Sequence, residues 1–148
     1  MKRSVRLQVV LQLFQQKEDQ ALQGVQLATQ DVEQQKLQLS SLVDYQNEYY
    51  RSSGDTQQAV SIMQWRRLQD YIEQLKGIIA KQEYQVQLSE VALQRAQDAW
   101  REAHLKRKSM ESMIEKIVVQ EVLDADKKEQ KYLDELVQQL QQSRYHQK

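Results

Sequence analysis

The chain has 148 residues, zero formal net charge from 21 basic and 21 acidic side chains, and no cysteine or proline. Balanced charge excludes binding to nucleic acid or an anionic membrane by bulk electrostatics. The lack of cysteine excludes disulfides and thiolate chemistry and makes a reducing cytoplasm the simplest compartment. With a mean hydropathy of -0.82, roughly one residue in five Gln and a single Phe, the composition does not suit a globular core.

The N-terminus, Met1-Lys2-Arg3 followed by Val5 to Phe14, has the basic-then-apolar order of a signal peptide. Arg6, Gln8 and Gln12 interrupt the run and no small-residue cleavage site follows, so it reads as the start of a helix. No apolar run approaches the ~20 residues needed to span a bilayer. From Leu7 the apolar residues recur at alternating steps of four and three: Leu7, Leu11, Phe14, Ala21, Val25, Ala28, Val32, Leu39, Leu42 and Tyr49, with Glu18, Gln35 and Gln46 at the polar positions of the same series. A heptad sustained this long predicts a coiled-coil seam, on a helix from about 4 to 51.

Arg51-Ser-Ser-Gly-Asp-Thr56 is the one stretch that reads as a turn, placed at about 52–57. Gly54 can adopt the left-handed conformation that ends a helix, and Asp55 or Thr56 can cap the next one. Asp55 and Gln58 have capping-box spacing. The second helix, about 58 to 142, carries the longer seam: Trp65, Leu68, Ile72, Leu75, Ile79, Gln82, Val86, Ser89, Leu93, Ala96, Trp100, Ala103, Arg107, Met110, Ile114 and Ile117. Seam packing is the expectation for both tryptophans. Gly24 and Gly77 lie off the seams and each costs about 1 kcal/mol relative to Ala.

One short turn between two seams predicts an all-α fold: two long helices in an antiparallel coiled-coil hairpin, forming a single domain over 1–148. Setting Tyr49 near Ile62 or Trp65 places Leu7 opposite about residue 105, a paired section on the order of 45 residues or ~65–70 Å. The second helix then overruns the first by some 30–40 residues, or about 50 Å. The overhang would leave Ile114, Ile117, Val118, Val119, Val122 and Leu123 uncovered, and beyond the charged run Asp124–Lys131 also Leu133, Leu136 and Leu140. Each buried aliphatic side chain contributes roughly 1.5–3 kcal/mol, partly offset by ordering on association, so the overhang predicts a partner, self-association or fraying.

Catalysis finds no support. His104 and His146 lie far apart, no cluster has metal-ligand spacing, and no Gly-rich phosphate loop is present. No enzyme, cofactor or metal site is expected. Arg101, Lys106, Arg107 and Lys108 form a small basic cluster that reads as a solvated face, with contact to an acidic protein surface as the alternative. Gln38, Leu42, Tyr45 and Tyr49 share one side of the first helix near the turn, and Tyr71, Leu75, Ile78 and Gln82 repeat the same steps on the second. Two readings stay open for these stripes: residues that widen the seam, or a docking face, for which tyrosine is well suited.

The run Leu42-Val-Asp-Tyr-Gln-Asn-Glu-Tyr49, Trp65 beyond the turn, Ala99-Trp-Arg-Glu102 and Glu129-Gln-Lys-Tyr-Leu-Asp-Glu135 together resemble the bacterial flagellar export family FliJ, over roughly residues 5–137. The resemblance implies a non-enzymatic component of the flagellar type III export apparatus, cytoplasmic and peripheral to the inner membrane. It implies a two-helix stalk like that of rotary ATPases, bound to the hexameric export ATPase and to the cytoplasmic domain of the membrane export-gate protein. Coupling of ATP hydrolysis and proton motive force to export, and recycling of empty export chaperones, are implied as well. Nucleic acid and direct lipid insertion are not. The family's gate-binding face carries over to Gln38, Leu42, Tyr45, Tyr49, Tyr71, Leu75, Ile78 and Gln82. The stalk analogy assigns the termini to the ATPase ring. The uncovered residues Ile114, Ile117, Val118, Val122, Leu133 and Leu136 suit the ATPase or a chaperone. A structural scaffold and the equivalent stalk of a virulence-type secretion system are the alternatives.

Overall fold

A computed structural model describes residues 2–55 and 61–146. Two helices account for nearly all of them, α1 Arg3–Asp55 and α2 Ile62–His146. They pack against each other as an antiparallel coiled-coil hairpin, and the described residues contain no strand. Long-range contacts group the chain into two units, one of Met1–Lys17 with Ala103–Lys148 and one of Glu18–Glu102.

The heptad reading locates the core. All thirteen positions of the α1 series and fifteen of the sixteen on α2 are buried or half-buried. In the 18–102 unit the most enclosed apolar side chains are Val32, Ile72, Leu75, Ile79 and Val86; in the other it is Ile114. Among the described residues no large side chain is wholly enclosed, as expected where each helix has one neighbour and a narrow stripe to bury. Four polar seam residues, Gln35, Gln82, Ser89 and Arg107, find partners across the pair or on their own helix. Gln82 Nε2 donates to the Gln35 carbonyl at 3.0 Å and to Gln35 Oε1 at 2.8 Å. Ser89 Oγ donates to the Val86 carbonyl at 2.7 Å. Arg107 donates to Glu111 Oε2 at 2.6 Å on its own helix.

The ends of the helices differ from expectation. α1 does not stop at Arg51 but runs through Ser52, Ser53 and Gly54 to Asp55, and no described glycine has positive φ. A right-handed helix accepts Gly at a cost of about 1 kcal/mol, which a helix of this length absorbs. Thr56 and Gln58, part of the expected cap, lie outside the described residues. The cap of α2 is Ser61, whose Oγ accepts from the Gln64 amide at 3.2 Å while its carbonyl accepts from Trp65 at 3.0 Å. Ser61 and Gln64 have capping-box spacing.

The register also differs. Tyr49 stacks against Tyr71 with ring centroids 4.9 Å apart, about two turns beyond the expected Ile62 or Trp65. In the other unit Ser4 meets Glu121, more than two turns beyond the expected alignment. Two consequences follow. Trp65, in the first turn of α2, is 56% exposed rather than packed in the seam. The overhang shortens to the stretch after Glu121, where every described side chain from 122 to 145 is exposed.

Candidate functional site

The two tyrosine stripes meet in the 18–102 unit. Tyr45 and Tyr49 are one helical turn apart on α1, with ring centroids at 5.3 Å and planes tilted by 57°. Tyr71 closes on Tyr49 from α2, planes tilted by 34°. Offset, tilted rings at these separations attract through their quadrupoles, so the three form one aromatic cluster across the helix pair. Tyr49 is half-buried, while Tyr45 and Tyr71 each keep about half of their surface in solvent. The Tyr49 hydroxyl is pushed from its ordinary 10.0 up to about 12, first by its hydrogen bond with Tyr71, then by burial and by Tyr45. The Tyr49 phenol is therefore kept neutral near pH 7 and presents a donor and an acceptor rather than charge.

Beside the cluster lies an open groove of about 670 Å³ lined by Gln34, Leu37, Gln38, Ser41, Leu42, Tyr45, Leu75 and Gln82. Five of the eight residues singled out in the sequence line it: Gln38, Leu42, Tyr45, Leu75 and Gln82. Leu42 and Leu75 supply its apolar floor, for Leu75 is buried and Leu42 half-buried in the seam. Gln82 is tied to Gln35, which fixes one end. Ile78 is exposed, and Tyr49 and Tyr71 belong to the aromatic cluster rather than the groove lining. The stripes thus divide: Leu42, Tyr49, Leu75 and Gln82 lie in the seam, and Gln38, Tyr45, Tyr71 and Ile78 face outward.

Leu37 also lines the groove, although its spacing places it on neither stripe. It is 69% exposed, lies one helical turn from Ser41, and presents a large aliphatic side chain at the groove margin. Its signal was available: a leucine on an outer face otherwise made of Gln, Ser, Asp and Glu.

The second set of candidates divides too. Ile114 is only 4% exposed and Ile117 is half-buried, because the longer pairing of α1 covers them; neither belongs to a free surface. Val118, Val122, Leu133 and Leu136 are exposed, as expected. Where α1 begins, Glu121 accepts from the Ser4 amide at 3.1 Å and from Ser4 Oγ at 2.7 Å. A carboxylate there satisfies amides left free in the first helical turn and sits at the positive end of the helix dipole. These bonds to Ser4 hold the Glu121 carboxyl below its ordinary value. The basic cluster is not one patch, since Arg107 points into the seam while Arg101 is exposed. Among the described residues no group of acidic, His or Cys side chains could hold a metal ion, and no helix is long and apolar enough to cross a membrane.

The fold and this site define a two-helix coiled-coil protein with an open groove of uncharged side chains beside a cluster of three tyrosines. The family model described as Flagellar FliJ protein matches residues 1–145, nearly the whole chain, and the chain belongs to that family. It is therefore a coiled-coil protein associated with flagellar export. No curated protein and no solved structure matches it.

Proposed function

We propose that this chain is a non-enzymatic coupling stalk of the flagellar export apparatus, acting in the cytoplasm at the inner membrane. The Tyr45–Tyr49–Tyr71 cluster and the groove beside it engage the cytoplasmic domain of the export-gate protein. The end where Ser4 meets Glu121 engages the hexameric export ATPase, and the same end serves empty export chaperones. The observation that carries the reading is the aromatic cluster at an open groove on a chain of this family. Exposed tyrosines that already touch one another lose little freedom on docking, and a half-buried anchor among them is the usual make-up of a binding hot spot. The family match favours the flagellar reading over a virulence-type stalk.

The test pairs two measurements on the intact chain. Tyr45→Ala with Tyr71→Ala should weaken binding to the gate protein's cytoplasmic domain by about tenfold or more, with helicity unchanged. Purified export ATPase should turn over ATP faster with the chain present and carry it in a complex of defined native mass. Unaltered gate binding in the double variant, or an ATPase indifferent to the chain, would remove the corresponding half of the proposal.

A further inference from the structure

Past Glu121, α2 moves its apolar residues to a different face. The seam positions that continue the series from Ile114 and Ile117 are Asp124, Lys128, Lys131 and Glu135, all polar. On the helix face directly away from the seam, the opposite happens. Over most of α2 that outer face is polar, with Arg66, Arg67, Asp70, Glu73 and Gln74 at its start. At Val119, Val122 and Leu123 it turns wholly apolar, and at Leu133, Leu136 and Val137 it does so again. The second trio repeats the first at the same three heptad positions, two heptads or about 21 Å further on. All six are exposed, so the stripe does not serve the hairpin itself.

Between the bands the outer face carries Asp126 and Glu129. They stand three residues apart, where like charges repel, and no base occupies a position three or four residues from either. Neither has an ion-pair partner among the described residues. The lysines of this run, Lys127, Lys128 and Lys131, lie on or beside the seam line instead. The outer face of residues 119–137 therefore reads apolar, acidic, apolar.

We propose that this face docks an amphipathic helix of a protein partner, one with two apolar patches two heptads apart and basic residues between them. Apolar bands of matching period give the register, and the unpaired acids select the basic centre. A polar seam beyond Glu121 rules out continuation of the α1 type of packing, so the partner lies on the side away from α1. The first band overlaps the level at which Ser4 meets Glu121, and docking leaves that contact intact. The proposal is independent of the gate assignment; it deepens the assignment of this end to a protein partner, and the peptide probe reads it with neither ATPase nor chaperone present.

The probe is a synthetic helical peptide with leucine pairs two heptads apart and arginines between them, compared with a sister peptide carrying glutamates between. Binding to the full chain is read by fluorescence anisotropy at low salt. The arginine peptide should bind about tenfold or more tighter than the glutamate peptide, and D126K/E129K should reverse that order. L133S/L136S should abolish binding of both, with far-UV circular dichroism unchanged. Equal affinity for the two peptides, or an order that survives D126K/E129K, overturns the proposal. So does a concentration-dependent oligomer of the chain alone that L133S/L136S dissolves, because a second copy would then be the occupant.

Discussion

At the scale of single residues, exposure decides what each side chain contributes. Ile72 and Trp65 occupy the same heptad position one repeat apart, yet Ile72 is buried and Trp65 is half in solvent. Ile72→Ala should therefore cost about 2–4 kcal/mol and Trp65→Ala within about 0.5 kcal/mol, measured by urea unfolding. The reverse order would restore Trp65 to the seam. Glu121 gives the pH dependence. Its folded pKa lies below the unfolded value, so its stabilising contribution is present above that unfolded value and is lost as pH falls through the folded one. The Ser4 amide should accordingly show a titration in acid by NMR and become more exchangeable there, and Glu121→Gln should remove that titration. Tyr49 carries the opposite sign: its raised pKa favours the folded state below 10.0, and the benefit disappears as pH rises towards about 12.

At the scale of the element, these helices tolerate residues that shorter ones would not. Gly24, Gly54 and Gly77 are all helical. A methyl group added at Gly24 or Gly77 would meet no atom within 4 Å. Gly24→Ala and Gly77→Ala should each stabilise the fold by about 0.4–1 kcal/mol, by narrowing the unfolded ensemble and restoring helix propensity. A loss of stability at either site would reveal a close approach that the free chain does not display. Ser61→Ala removes the acceptor for the Gln64 amide and should cost about 1 kcal/mol, concentrated in the first turn of α2 and visible as faster amide exchange there. The Gln35–Gln82 bond is the matching device between elements. A half-buried amide pair contributes little net stability but penalises any register that separates it.

At the scale of the whole molecule, the terminal stretch of α2 adds exposed surface and little stability. Every described side chain from 122 to 145 is exposed, so ending the chain after Glu121 should change the free energy of unfolding by less than about 1 kcal/mol. The same truncation should abolish any association that uses the terminal stripe while leaving the gate binding proposed for the tyrosine groove untouched. A large drop in unfolding free energy would mean that the terminal stretch packs on the hairpin. Zero net charge carries into the assembly as well: partner recognition has to come from local pattern, whether tyrosines at a groove or acids between apolar bands, rather than from a field over the surface.

The sequence by itself determined the two helices, their antiparallel pairing and nearly every seam position, because a heptad repeat is local: each turn announces which side it buries. It also placed five groove residues on neighbouring stripes, since residues three and four apart share a face. Tertiary structure alone decided the register. A two-helix seam can slide by a heptad and still match apolar to apolar, so Trp65, Ile114 and Ile117 could be assigned only once Tyr49 was found against Tyr71 and Ser4 against Glu121. Where α1 stops was equally undetermined, because Ser, Gly and Asp permit a helix end without requiring one. The residues that face solvent followed from that register, and with them the surfaces left for partners.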